Sequence, residues 1–183
     1  MFYIFGFYKF KKLSGLKKIK KSFENKLKKY HLRGTIIFSR EGINGTISGK
    51  KMSIKKFKIN LMKICKIKNF DSENNSTSIF QPFHRGKIKI KKEVVPIGIN
   101  VLPSEKIENS IDPIKWNLLL KEKGVKIIDA RKPFEFNVGT FKGAKNPKIN
   151  HFRDFPKYLK EFNKENKIAM FCTGGIRCEK ASV

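Results

Sequence analysis

The sequence predicts an α+β sandwich in its first half and a parallel α/β sheet in its second. Two strand–helix units within residues 1–92, strands alternating with helical stretches after residue 113, and a proline-punctuated stretch between them predict this division. The 183 residues are enough for one large domain or two small ones.

Phe2–Phe10 is aromatic-rich and reads as a strand. Leu16–Tyr30 places Leu16, Ile19, Phe23 and Leu27 three and four apart, on one face of a helix. Gly34–Ser39 reads as a short apolar strand, Glu41–Asn44 as a turn and Gly45–Ser48 as its partner strand. Ser53 is a candidate cap for a helix through about Ile67, with Ile54, Phe57, Leu61 and Ile64 facing the core. Asp71–Ser78 is polar and reads as a connection, and Lys87–Ile90 alternates as the last strand. The order β-α-β-β-α-β is that of a ferredoxin-like sandwich over residues 1–95.

Residues 96–113, with Pro96, Pro103 and Pro113 in or at the end of the stretch, read as a linker to a domain over 114–183. There Trp116–Lys121 reads as helix, Val125–Asp129 as a buried strand, Phe155–Phe162 as helix and Lys167–Phe171 as a second strand. Reactive loops of parallel sheets sit at the carboxyl ends of strands, and Cys172 falls at such an end.

With 42 Lys+Arg against 15 Asp+Glu the formal charge is +27. Of the basic residues 36 are Lys and 6 are Arg, and Lys, Ile, Phe and Asn share AT-rich codons, so nucleotide bias alone can create much of the excess. Its distribution is more telling: residues 1–92 carry a net +21 and residues 93–183 a net +6. That asymmetry favours a polyanion partner for the first half. An apolar fraction of 39% with 17 Phe excludes a disordered tail, and no apolar run approaches a bilayer span. Met1–Tyr8 lacks the basic start and cleavage site of a signal peptide. Three cysteines make no disulfide framework, so the chain reads as cytoplasmic, with thiols available for chemistry.

Cys172-Thr173-Gly174-Gly175-Ile176-Arg177, entered from a strand and left by a helix, carries the most chemistry. Two glycines let successive N–H groups converge on one spot, reinforced by the following helix N-terminus. A cysteine at the mouth of such a nest should be a thiolate nucleophile, and Arg177 can brace the loop or hold an anion. Four residues separate Cys172 from Arg177, one fewer than a phosphate-encircling loop needs, so the nest suits a smaller group such as a persulfide sulfur. Cys178 reads equally as a resolving thiol or a packing residue, and Cys65 as a core filler. Arg131 is a candidate substrate contact and Asp129 a structural partner beside it. In the first half Arg40, within Arg40–Gly45, is a candidate RNA contact, with a plain strand turn equally open; Lys87–Lys92 reads as a phosphate stripe or a solvated edge. His31, His84 and His151 have no metal-ligand spacing, and the residues identify no cofactor.

The Cys-x4-Arg loop resembles a rhodanese active site, as do VKIIDAR at 125–131, Phe134–Glu135 after it, and GTFKGA at 139–144. The whole chain resembles the rhodanese-domain tRNA uridine(34) hydroxylases through RGTIIFSREGINGTISG at 33–49, QPFHRGKIKIKKEVVPIG at 81–98, GTFKGAKNP at 139–147 and AMFCTGGIRCEKAS at 169–182. This resemblance implies an acylphosphatase-like first domain and oxygen-dependent formation of 5-hydroxyuridine at the tRNA wobble position. Molecular oxygen is then a co-substrate, tRNA the partner rather than DNA or membrane, and Cys172 the essential, persulfide-forming thiol. It further implies that the rhodanese domain stops short after its active-site loop. A final helix of one or two turns is marginal alone, so the second domain is expected to be poorly folded and inactive in this form. Two other readings are a sulfurtransferase carrying sulfane sulfur on Cys172, and an inactive RNA-binding fragment.

Overall fold

The computed structural model describes residues 1–98, 110–163 and 165–183, in two compact units divided between Val94 and Val95. In the first, strands β1 (Phe2–Phe10), β2 (Arg33–Ser39), β3 (Gly42–Gly49), β4 (Ser72–Ser78) and β5 (Gly86–Ile90) form one sheet in the order β4-β1-β3-β2-β5. Helices α1 (Leu16–Lys29) and α2 (Lys51–Cys65) supply the apolar faces that cover it. Alternation along the strands turns Phe5, Phe7, Ile36, Phe38, Ile43 and Ile47 inward, where they meet Phe23, Leu27, Phe57 and Leu61. Phe23 stacks on Phe38 with ring centroids 5.6 Å apart, joining helix to sheet. Cys65 belongs to this core, and burial pushes its thiol up to about 12.

The sandwich predicted from the sequence is present, with one correction to its last element. Asp71–Ser78 is a strand, not a connection: β4 pairs antiparallel with β1, from Phe2–Ser78 to Tyr8–Ser72. It takes the outer place beside β1, whereas β5, read as that final strand, adds to the opposite edge in parallel with β2. The exposed side chains of β4 carry no apolar alternation, so its pairing is a main-chain matter. Nor does Ser53 cap α2; the helix begins two residues earlier, after Lys50. The β2–β3 connection is also tighter than Glu41–Asn44, because the strands are joined by Arg40 and Glu41 alone. Gly34 sits at φ +126°, and a Cβ there would lie 2.1 Å from the carbonyl oxygen of Thr46, so only glycine permits this approach of β2 to β3.

In the second unit β6 (Lys126–Asp129) and β7 (Ile168–Phe171) pair in parallel, with a bridge from Ile128 to Lys145. Around them lie α3 (Pro113–Leu119), α4 (Pro133–Val138), a 3-10 turn (Phe152–Asp154), α5 (Phe155–Leu159) and α6 (Ile176–Ala181). The core joins Ile128, Ala130 and Phe155 to Phe152, Tyr158, Leu159, Ile168 and Met170. Helix α5 ends at Leu159, three residues before its expected end, and α4 follows β6 in a stretch for which the periodicity predicted no helix. Asp112 accepts from the Lys115 N–H at 2.9 Å and Pro113 opens α3, so the last residues of the expected linker start a helix. Pro103 lies outside the described residues.

Candidate active site at the Cys172 loop

Strands β6 and β7 end side by side, Asp129 opposite Phe171, and the two chain segments that leave them build the site. From β7 the chain enters Cys172–Arg177. Gly175 adopts φ +87°, which turns its N–H back toward the start of the loop, and that N–H donates to Cys172 Sγ at 3.1 Å. The amides of Gly174, Arg177 and Cys178 also face the sulfur. The Cys178 side chain, on α6, donates its S–H to the same atom. That S–H donation is the largest influence on Cys172. Together with the amides it outweighs burial and brings the thiol down from 9.0 to about 5. Cys178 moves the opposite way, raised strongly because ionisation would remove the proton it gives to Cys172 and because it is buried. Near neutral pH the pair therefore holds a Cys172 thiolate and a Cys178 thiol.

From β6 the chain supplies the brace. Arg131 grips Asp129 through two contacts, Nε to Oδ1 at 2.9 Å and Nη2 to Oδ2 at 2.7 Å. Thr140 Oγ1 donates to Oδ2 at 2.9 Å, and the Arg131 N–H to Oδ1 at 3.0 Å. Burial works against the Asp129 charge, but these bonds and the guanidinium hold its carboxyl below the ordinary range. Arg131 Nη2 also donates to the carbonyl of Gly139, and Arg131 lies 5.5 Å from the centroid of the Phe171 ring. The guanidinium is thus committed to Asp129 and the Gly139 carbonyl while lining the cavity in front of the sulfur.

Glu135, on α4, was not among the site residues expected from the sequence, yet it ties the two segments together. It accepts from Thr173 Oγ1 on one oxygen and from Arg177 Nη2 at 3.3 Å and the Lys132 N–H at 3.1 Å on the other. Burial again opposes the charge, but these donors keep its carboxyl below the usual range. Arg177 completes the tie with a 3.2 Å bond from Nη1 to the carbonyl of Ala130. Its side chain braces the loop. The sequence signal for Glu135 was a proline-initiated turn with Glu at its third position, which predicts a helix start and not a contact to a loop 38 residues later.

In front of Cys172 opens a cavity of about 330 Å³ lined by Arg131, Thr140, Phe141, Phe171 and Thr173. Phe141 stands edge-on to Phe171 with centroids 4.9 Å apart, and Trp116 touches both rings at 5.4 and 5.9 Å. Phe141 itself is 44% exposed. The expected loop residues Cys172–Cys178 and Arg131 are brought together here; Gly174 and Ile176 serve through the backbone and the buried start of α6. Arg40 belongs to the first unit, at the β2–β3 turn, where its carbonyl accepts from the Leu13 N–H at 3.0 Å. Glu41 beside it is buried and accepts from the Val94 N–H at 2.7 Å. Among the described residues no group of His, Cys, Asp and Glu is arranged to hold a metal ion, and no helix is long and apolar enough to cross a membrane.

Residues 2–94 match the family model described as UPF0176 acylphosphatase like domain, and residues 115–183 match the rhodanese-like domain. The chain is 57% identical over all 183 residues to a tRNA uridine(34) hydroxylase of Pelagibacter ubique, covering 61% of that relative. It is 40% identical over 178 residues to the protein of the same name from Acinetobacter baumannii, covering 96% of this chain and 56% of the relative. The chain therefore spans about three fifths of the length of these two relatives. With the relative of that name from a Wolbachia of Brugia malayi it shares 39% identity over 99% of this chain and 68% of the relative. Matched in both halves, in the same order, and along two thirds of a relative's length, the chain belongs to the tRNA uridine(34) hydroxylase family.

Proposed function

We propose that this chain takes part in the hydroxylation of the wobble uridine of tRNA to 5-hydroxyuridine, with Cys172 as the essential thiol, molecular oxygen as co-substrate and a two-electron donor from outside the chain reducing the second oxygen atom to water. The observation that carries the reading is the Cys172 sulfur, held as a thiolate by main-chain amides and the Cys178 S–H at the back of an aromatic-walled cavity. A thiolate so placed is a competent nucleophile, and Phe141 offers a flat apolar face to a base turned out of its stack. Arg177 and Glu135 hold the loop; Arg131 shapes the cavity through Asp129. The family relationship supports the reaction, and the net +21 of residues 1–92 supports an RNA substrate acting in the cytoplasm.

Nucleoside mass spectrometry of tRNA from cells expressing the native chain or Cys172→Ser, in a strain lacking its own hydroxylase, tests this. The native chain should restore 5-hydroxyuridine and the serine variant should not. Modification that survives the substitution removes the role of the thiol.

The tight loop favours one second reading, transfer of sulfane sulfur through a Cys172 persulfide. The Gly175 N–H lies 3.1 Å from the sulfur, and the four-residue spacing from Cys172 to Arg177, one short of a phosphate-encircling loop, supports a smaller group such as a persulfide sulfur. Incubation with thiosulfate and cyanide separates the two: sustained thiocyanate release favours sulfur transfer, and none favours the hydroxylase.

A further inference from the structure

A concavity of about 950 Å³ in the first unit runs along the outer edge of β5 against the C-terminal half of α1. Its charged lining is Lys28, Arg33, Arg85, Lys87 and Lys89, with Glu24 as its acid. Glu24 already faces Lys20, 3.7 Å away on α1, and among the described residues none of the five cations is ion-paired. Lys87 and Lys89 project from the same side of β5 at about 6.6 Å spacing, while Ile88 between them is buried. Among the described residues no strand follows β5 in the sheet order, so this row stands at the sheet edge.

Codon bias explains lysines better than arginines. Only 6 of the 42 basic residues are Arg, and two of them, Arg33 and Arg85, are in this groove. From Arg85 and Lys87 a second hollow of about 560 Å³ continues beneath Pro82, Phe83 and His84, next to Thr35. Paired cations at strand spacing followed by an aromatic ring match a nucleic-acid strand, which alternates phosphates with flat bases.

We propose that this groove holds the sugar–phosphate backbone of the RNA, with phosphates along Lys89, Lys87 and Arg85 and a base against Phe83. The inference rests on RNA being the substrate class and adds where the first unit grips it.

Binding of an unmodified tRNA transcript to the full chain, measured by fluorescence anisotropy across a salt series, tests it. Arg85→Gln/Lys87→Gln/Lys89→Gln should weaken binding at least tenfold near 0.1 M salt and flatten the salt dependence by about 2 in log–log slope. The control Lys55→Gln/Lys56→Gln/Lys63→Gln removes the same charge from the exposed face of α2 and should cost less than threefold. Equal losses from both triples would overturn the groove in favour of a diffuse field. Equal losses of tRNA and heparin affinity in the groove triple would overturn an RNA site in favour of a general polyanion surface. Cys172→Ser separates this from the proposed reaction. Groove-dependent binding without any hydroxylated nucleoside would refute the activity and leave the groove standing. Cys172-dependent modification at full rate in the groove triple would refute the groove.

Discussion

The Cys178 side chain hydrogen-bonds the sulfur of Cys172, six residues earlier in the chain, and that contact, joined by the loop amides on Cys172 and by burial on Cys178, drives the two thiols to opposite protonation states. The donor is as much part of the nucleophile as the amides are. Removing it in Cys178→Ala should raise the Cys172 thiol well above its value of about 5 and slow its alkylation at pH 6 about tenfold. Cys178→Ser keeps a hydroxyl donor and should recover most of the rate. Iodoacetamide labelling followed by peptide mass spectrometry reads this directly; an unchanged pH profile in the alanine variant would assign the low value to the backbone alone.

Asp129 is fully buried and held by four donors, so Asp129→Asn leaves Arg131 without its counter-charge and should destabilise the second unit by about 3 kcal/mol. The pH dependence has a defined sign. Asp129 and Glu135 both have lowered native values, so the stability they add is complete above the ordinary carboxyl range near about 4 and drains as pH falls through the lower native values. Urea unfolding between pH 3 and 7 should show this acid loss in the native chain and a shallower one in Asp129→Asn.

Phe141 lines the cavity and is partly exposed, and its ring offers no hydrogen bond to the loop. Phe141→Ala should cut tRNA modification by about 10- to 100-fold, the range expected from losing one stacking surface. The alkylation rate of Cys172 should stay as in the native chain. If both fall together, the ring supports the loop and not the base.

Gly34→Ala forces a Cβ against the Thr46 carbonyl and should cost about 3 kcal/mol or more, read from urea denaturation of the first unit. Gly139→Ala, with nothing within 4 Å of the added carbon, should change stability by about 0.5 kcal/mol or less.

The helices and inner strands of the first unit were legible because burial writes a period into the sequence: Phe23 and Leu27 on α1, and Ile36 and Phe38 on β2, alternate as their neighbours require. Strand β4 was not legible, since Ser72–Ser78 meets its partner through backbone groups that any side chain would provide. The same contrast divides the site. Cys172 and Arg177 announce themselves by spacing within one loop. Glu135 is recognisable only when the fold carries it to Thr173 and Arg177, across separations of 38 and 42 residues. Asp129 was legible as a structural partner of Arg131 because the two stand two apart at a strand end; the Gly139 carbonyl, which takes a further guanidinium N–H, was not, since only the fold brings it there.

Side chains are the exchangeable part of a protein and the peptide unit is not. The charge on the reactive sulfur is set first by one neighbouring thiol and then by peptide N–H groups, one of them aimed by a left-handed turn at Gly175. Wide compositional wandering elsewhere can therefore leave the reactivity of this centre unaltered, provided two small residues and one thiol are spared.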